Sequence, residues 1–284
     1  MAVDCHFHVI GPPGRFPQHP GRSYTAGEAS LAAWRAAVAP LGVEQGVLVQ
    51  PSVYGTDHRA LLATLQEGAG RLVGVGALAS DATEAELDAL TASGLRGLRF
   101  GHFEPGDRRM MPGLVPLAEL AALAPRMKAR ALHVDLFTDS RLLDGIAPAL
   151  RAAGLPVVLD HMGRTPAELG IAHEGMDALA GLLDEGWLWV KLSGLANVSR
   201  LAPGFEDARP MHAWLVERCP QRLVWGSDWP HTRPSGERPS TARLAATFEA
   251  WTPSATVRQQ ILVDNPRAFY RLPALPAPAP RPRD

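Results

Sequence analysis

Cysteine is almost missing from this chain. Cys5 and Cys219 are the two present, in no CxxC or disulfide-like spacing, and a reducing cytoplasm is the natural compartment. Net charge is also nearly absent, at −1, so no basic field exists to hold nucleic acid or an anionic membrane. No apolar run approaches the roughly 20 residues of a membrane helix. The N-terminus lacks the basic segment and apolar core of a signal peptide. The G-x-S-x-G elbow, the G-x-x-x-x-G-K-[ST] loop and H-E-x-x-H do not occur, which leaves serine-hydrolase, P-loop and zincin chemistry without support. Gly74-Val75-Gly76-Ala77-Leu78-Ala79 fits a dinucleotide-binding pattern. It lies inside an apolar run, however, and no acidic strand end follows at the right distance.

What the chain does have is repetition. Its 284 residues are 46% hydrophobic and 20% charged, as in an ordinary globular protein. Eight short Val- and Leu-rich runs recur: 2–8, 46–50, 72–78, 95–100, 129–136, 156–161, 187–193 and 223–228. They are mostly unbroken rather than alternating, as suits strands buried on both faces of a parallel sheet. Between them lie amphipathic segments with helix punctuation: Thr83 with Glu86 as a capping box, and Gly154 as a stop. Eight strand-then-helix units predict an α/β fold, a (β/α)8 TIM barrel in one domain over residues 1–272. A doubly wound open sheet is the alternative. Residues 254–272 read as added C-terminal helices. The Pro-rich tail 273–284 reads as disordered or loosely laid on the surface.

A TIM barrel carries its chemistry at the C-terminal strand ends. The first run ends in Asp4-Cys5-His6-Phe7-His8, and in a strand His6 and His8 share one face. The sixth ends in Asp160-His161-Met162-Gly163-Arg164, and the last in Ser227-Asp228-Trp229-Pro230-His231. Two imidazoles on one face suit a divalent metal or a polarised carbonyl. Asp228, among apolar neighbours, suits a general base; the alternative is an N-cap or a structural ion pair. His161 is a site residue or a buried histidine bonded to a carbonyl. His133 is a fourth metal ligand or a core histidine, with Asp135 on its face to orient it. Arg99 and Arg164 bind a substrate carboxylate or neutralise acids such as Asp160. Lys191 is structural or catalytic. Tyr24 is a substrate contact from an early loop over the mouth, or a surface tyrosine. His19, His58, His102, His173 and His212 read as loop or helix-surface residues.

Together with Phe16-Pro17, Arg96-Gly97-Leu98-Arg99 and Val263-Asp264-Asn265-Pro266, these motifs resemble the amidohydrolase superfamily nearly end to end. The branch is the one containing 2-pyrone-4,6-dicarboxylate lactonase. The resemblance implies a TIM-barrel hydrolase that opens a lactone of a small organic acid. By analogy, His6, His8 and His161 hold or polarise the carbonyl and Asp228 activates water. Arg99, Tyr24, Arg164 and His231 are then substrate-binding candidates. Stretches that are basic in the dicarboxylate enzyme read Gly101-His102-Phe103-Glu104 and Gly194-Leu195-Ala196-Asn197 here, so a dicarboxylate substrate is not implied. The expected cofactor is none, or one divalent ion, zinc first, on His6, His8, His133 and Asp228. With that ion the alternative activity is decarboxylation of an aromatic or unsaturated acid. The expected partner is a small molecule, with no nucleic acid or membrane, and a homo-oligomer is open.

Overall fold

The structure is a computed structural model that describes residues 2–107, 110, 112–232 and 239–274. Its strands are β1 (Ala2–Phe7), β2 (Val43–Val49), β3 (Leu72–Gly76), β4 (Leu95–His102), β5 (Val115–Pro116), β6 (His133–Thr138), β7 (Val157–Leu159), β8 (Leu188–Leu192) and β9 (Leu223–Trp225). All pairings are parallel, in the order β1-β2-β3-β4-β6-β7-β8-β9, with the two-residue β5 beside β4. The eight predicted strands are therefore present, and β5 is an addition. After β9 the chain turns back onto β1: the Asp228 N–H donates to the His6 carbonyl at 2.8 Å, and the His8 N–H to the Trp229 carbonyl at 2.8 Å. Those bonds close the sheet into a (β/α)8 barrel rather than a doubly wound open sheet.

Local signals explain the helices. Thr83 and Glu86 form the capping box at the start of Glu84–Ala92, and Gly154 takes a left-handed φ of 59° where Leu143–Ala153 ends. Ser30, Ser240 and Ser254 cap three further helices through their hydroxyls. The outer strand faces and the helices share one large apolar cluster. A second cluster fills the barrel: Val3, Cys5, Val47, Val49, Val73, Val75, Val158 and Val224, with Tyr270. Tyr270 ends the helix Asn265–Tyr270, so the added C-terminal helices plug the end of the barrel where the strands begin. The predicted tail lies, from residue 275 onward, outside the described residues.

One irregularity decides where the first motif points. Asp4 pairs with Gly46, and Phe7 with Leu48, so β1 spends one residue more than β2 between those pairs. This is a β-bulge. Before it, Val3 and Cys5 face inward. After it, Phe7 faces outward and stacks on Trp34 at 4.0 Å. His6 and His8 consequently share the inner face, as their spacing predicts, whereas Cys5 and Phe7 do not share the other. Without the extra residue, a strand that starts with Val3 inside would turn both histidines outward.

Candidate active site

Asp4 anchors the bulge. Its buried carboxylate accepts from the Trp34 indole at 2.9 Å, from the Ser227 N–H at 2.8 Å and from the Ser227 hydroxyl at 2.6 Å. The side chain just before the histidines is thus tied to the residue just before Asp228. Gly226 completes the approach: a Cβ there would sit 2.8 Å from the His6 nitrogen. Asp228 follows with a left-handed φ of 59°, and His161 has one of 53°. Such backbone costs about 1–3 kcal/mol per non-glycine residue and persists where the surroundings enforce it.

The result is a carboxylate facing three imidazoles. Asp228 Oδ1 lies 3.7 Å from His6 Nε2, 3.6 Å from His8 Nε2 and 4.0 Å from His161 Nε2. The structure therefore brings together His6, His8, His161 and Asp228. Burial opposes the Asp228 charge, but His161, His8 and His6 outweigh it and hold the carboxyl well below its usual range. Burial pushes His161 down to about 4 and also lowers His6, with the Lys191 charge adding to the second shift, so both rings are neutral near pH 7. Each ring has an outer partner. His8 Nδ1 meets the Val49 carbonyl at 2.7 Å, His161 Nδ1 meets the Ser193 hydroxyl at 2.9 Å, and His6 Nδ1 meets the Lys191 ammonium at 3.0 Å.

Beneath His6 lies a buried ionic layer. Lys191 pairs with Asp135 and, at 3.0 Å, with Asp160. Arg99 grips Asp160 Oδ2 from two nitrogens at 2.7 and 3.0 Å, with Asp135 at 3.7 Å. Burial works against the Lys191 charge, yet Asp135 and Asp160 raise its pKa above the ordinary value. Burial, with Asp160 beside it, pushes Asp135 up to about 7. Those contacts neutralise Asp160.

Three candidates sit around the mouth. Arg164 stacks on the Phe137 ring at 4.9 Å, the Tyr24 hydroxyl is 3.4 Å from that of Thr232, and the His231 N–H donates to the Asp228 carbonyl at 2.8 Å. His133 requires a correction as a metal ligand. It is the first residue of β6, at the plugged end, with its ring against Phe269 (4.8 Å) and Tyr270 (5.2 Å). Asp135 shares its inward face but lies two residues further along, bound to Lys191 rather than to His133. His212 is also not a surface residue: it is buried and bonded to the Thr252 hydroxyl at 2.8 Å. Sequence reasoning assigned no role to Asn197, whose amide approaches Asp228 Oδ2 at 3.4 Å, or to Phe137 and Ser193. Gly194 is needed beside them, since a Cβ there would sit 2.6 Å from the His161 ring.

A family model described as Amidohydrolase matches residues 3–272. The chain belongs to the amidohydrolase family. It is 31% identical over 278 residues to a 2-pyrone-4,6-dicarboxylate hydrolase of Comamonas testosteroni, covering 95% of this chain and 90% of that one. It is 29% identical over 269 residues to a 4-sulfomuconolactone hydrolase of Hydrogenophaga intermedia, covering 94% and 88%. Among solved structures, a Pseudomonas putida protein described as a 2-pyrone-4,6-dicarboxylic acid hydrolase superposes with a TM-score of 0.83 at 32% identity, over 96% of this chain and 98% of that one.

Amidohydrolases raise the question of a metal. Among the described residues, one ligand atom each from His6, His161 and Asp228 lie within 4.8 Å of one another. That spacing suits a divalent ion. The outer partner of His6 does not. An ammonium can only donate, so its contact with His6 Nδ1 leaves the ring's proton on Nε2, the atom a metal would need. By that contact the group does not fit a metal.

Proposed function

We propose that this amidohydrolase opens the lactone ring of a small organic acid with a water activated by Asp228. One observation carries the reading: a single ionised carboxylate stands 3.6–4.0 Å from three imidazole nitrogens at the C-terminal strand ends. The two hydrolases above, whose names specify a pyrone and a muconolactone, supply the substrate class.

In this reading Asp228 takes a proton from water, and the hydroxide attacks the lactone carbonyl. The imidazole edges of His6, His8 and His161 face the carbonyl oxygen and the charge that develops on it. A well-placed donor at such an oxygen is worth about 3–4 kcal/mol. Collapse breaks the ring C–O bond, and the proton held by Asp228 passes to the departing ring oxygen. A carboxyl held far below its usual pKa is a strong acid once protonated, which favours that return. Tyr24, Arg164 and His231, around the mouth, are the candidates for holding the rest of the substrate. Decarboxylation loses support, because the ligand set it needs includes His133, which lies at the other end of the barrel. The free, buried Cys5 and Cys219 fit a cytoplasmic enzyme.

The test is a panel of lactones of small organic acids, assayed with and without a chelator. Ring opening of at least one lactone, at a rate the chelator leaves unchanged, is expected. A folded protein that opens none of them overturns the proposal.

A further inference from the structure

Lys191 is a charged group in contact with the histidine pair that takes no part in the lactone-opening steps. It is fully buried, on β8, and its ammonium has three neighbours: Asp135, Asp160 Oδ1 at 3.0 Å and His6 Nδ1 at 3.0 Å. His6 Nδ1 is also 3.2 Å from Asp160 Oδ1, which offers a rival arrangement. There, Nδ1–H would donate to the carboxylate and Nε2 would carry a lone pair. The geometry opposes it. Asp160 Oδ1 already faces the Lys191 ammonium at 3.0 Å, and the Lys191–His6 contact is a well-formed hydrogen bond. An Nδ1–H would also set two donors against each other at 3.0 Å. With the ring neutral, the single proton then lies on Nε2. That nitrogen is buried, aimed at the site and without a hydrogen-bond partner among the described residues. An unsatisfied buried donor is costly, and is retained where something else is meant to satisfy it.

The Val49 carbonyl can only accept, so His8 carries a proton on Nδ1. Two histidines one residue apart on one face are thus given different outer partners, an ammonium and a carbonyl.

We propose that Lys191 is a positioning residue that fixes His6 as the Nε2–H tautomer, making it a preformed donor to the lactone carbonyl oxygen rather than a metal ligand. The catalytic part of this rests on the lactonase reading; the tautomer does not.

The test is ring 15N–1H correlation spectroscopy on protein labelled at histidine, with the His6 signals assigned by their loss in His6→Gln. The wild type should show His6 protonated on Nε2. Removing Lys191 alone would strand two buried carboxylates, so the variant is Lys191→Met with Asp135→Asn, which removes one charge of each sign. Its His6 proton should move to Nδ1, toward Asp160. Its kcat should fall about a hundredfold with KM little changed, the loss expected of one oxyanion donor. Its affinity for Zn2+, measured by competition with a chromophoric chelator, should rise about tenfold. A wild-type His6 protonated on Nδ1 overturns the proposal, whether or not the variant folds. A folded variant that keeps the Nε2 proton overturns it as well. A wild type that shows the Nε2–H form but opens no lactone supports the tautomer assignment and overturns the lactonase reading.

Discussion

The backbone N–H of Asp228 donates to the backbone carbonyl of His6 at 2.8 Å. The candidate base is therefore hydrogen-bonded to the strand that carries the histidines it faces. The His8 N–H returns the tie to Trp229, and Asp4 clamps Ser227. One seam both closes the barrel and sets the distances from Asp228 to its imidazoles.

Gly226→Ala tests that seam away from the reacting groups. The added methyl would lie 2.7 Å from His6 Cβ and 2.8 Å from its backbone nitrogen, and neither can yield without opening the β1–β9 closure. Overpacking of this kind costs about 1–3 kcal/mol. Denaturant unfolding should show that loss, and kcat should fall with it. Unchanged stability and kcat would mean that the closure does not place Asp228.

Asp228→Asn keeps the size of the side chain and removes the base. The fold should survive, since Asp228 makes its tie to β1 through backbone. Turnover should drop by about 10²–10⁴, the range for general-base catalysis. Circular dichroism and kcat on the same preparation decide it. A variant with normal turnover would remove Asp228 from the mechanism.

Much of this site is legible in the sequence, because barrel strand ends are where polar residues interrupt apolar runs. His6, His8, His161 and Asp228 each stand at such an interruption, and the structure brings them together. What local pattern does not carry is depth and register. His133 and Asp135 do share an inward face, but β6 begins at His133, so the histidine falls in the plugged layer and the aspartate in the ionic one. The bulge between Asp4 and Phe7 is invisible without the register of β2. His212 is hidden by a helix packed over it, a tertiary fact that its own helix does not encode.

Arg99 follows the same logic. With two nitrogens on Asp160 and a third contact to Asp135, it is committed to the ionic layer. Arg99→Met would leave two buried carboxylates facing Lys191 alone. Breaking a buried pair in this way costs about 3–5 kcal/mol. Chemical unfolding should register a loss of that size. A variant of normal stability whose only defect is a raised KM would instead place Arg99 on the substrate.

His133 gives a prediction in pH. Burial, helped by the Lys191 charge, lowers it from the ordinary histidine value of 6.5 to about 3. Between those two values the unfolded chain binds the proton and the folded chain does not, so acid favours unfolding. The stability His133 withdraws is nil above pH 6.5 and grows as pH falls toward 3, at up to about 1.4 kcal/mol per pH unit. His133→Leu, which keeps an apolar group against Phe269 and Tyr270, removes that loss. Its Tm relative to wild type should therefore rise steadily from pH 7 to pH 4. The wild-type slope should not vanish entirely in the variant, because burial lowers His161 and His212 to about 4 as well. Turnover at pH 7 should stay within about threefold of wild type, as expected of a group that only packs. A loss of activity restored by added Zn2+ would return His133 to the role of ligand.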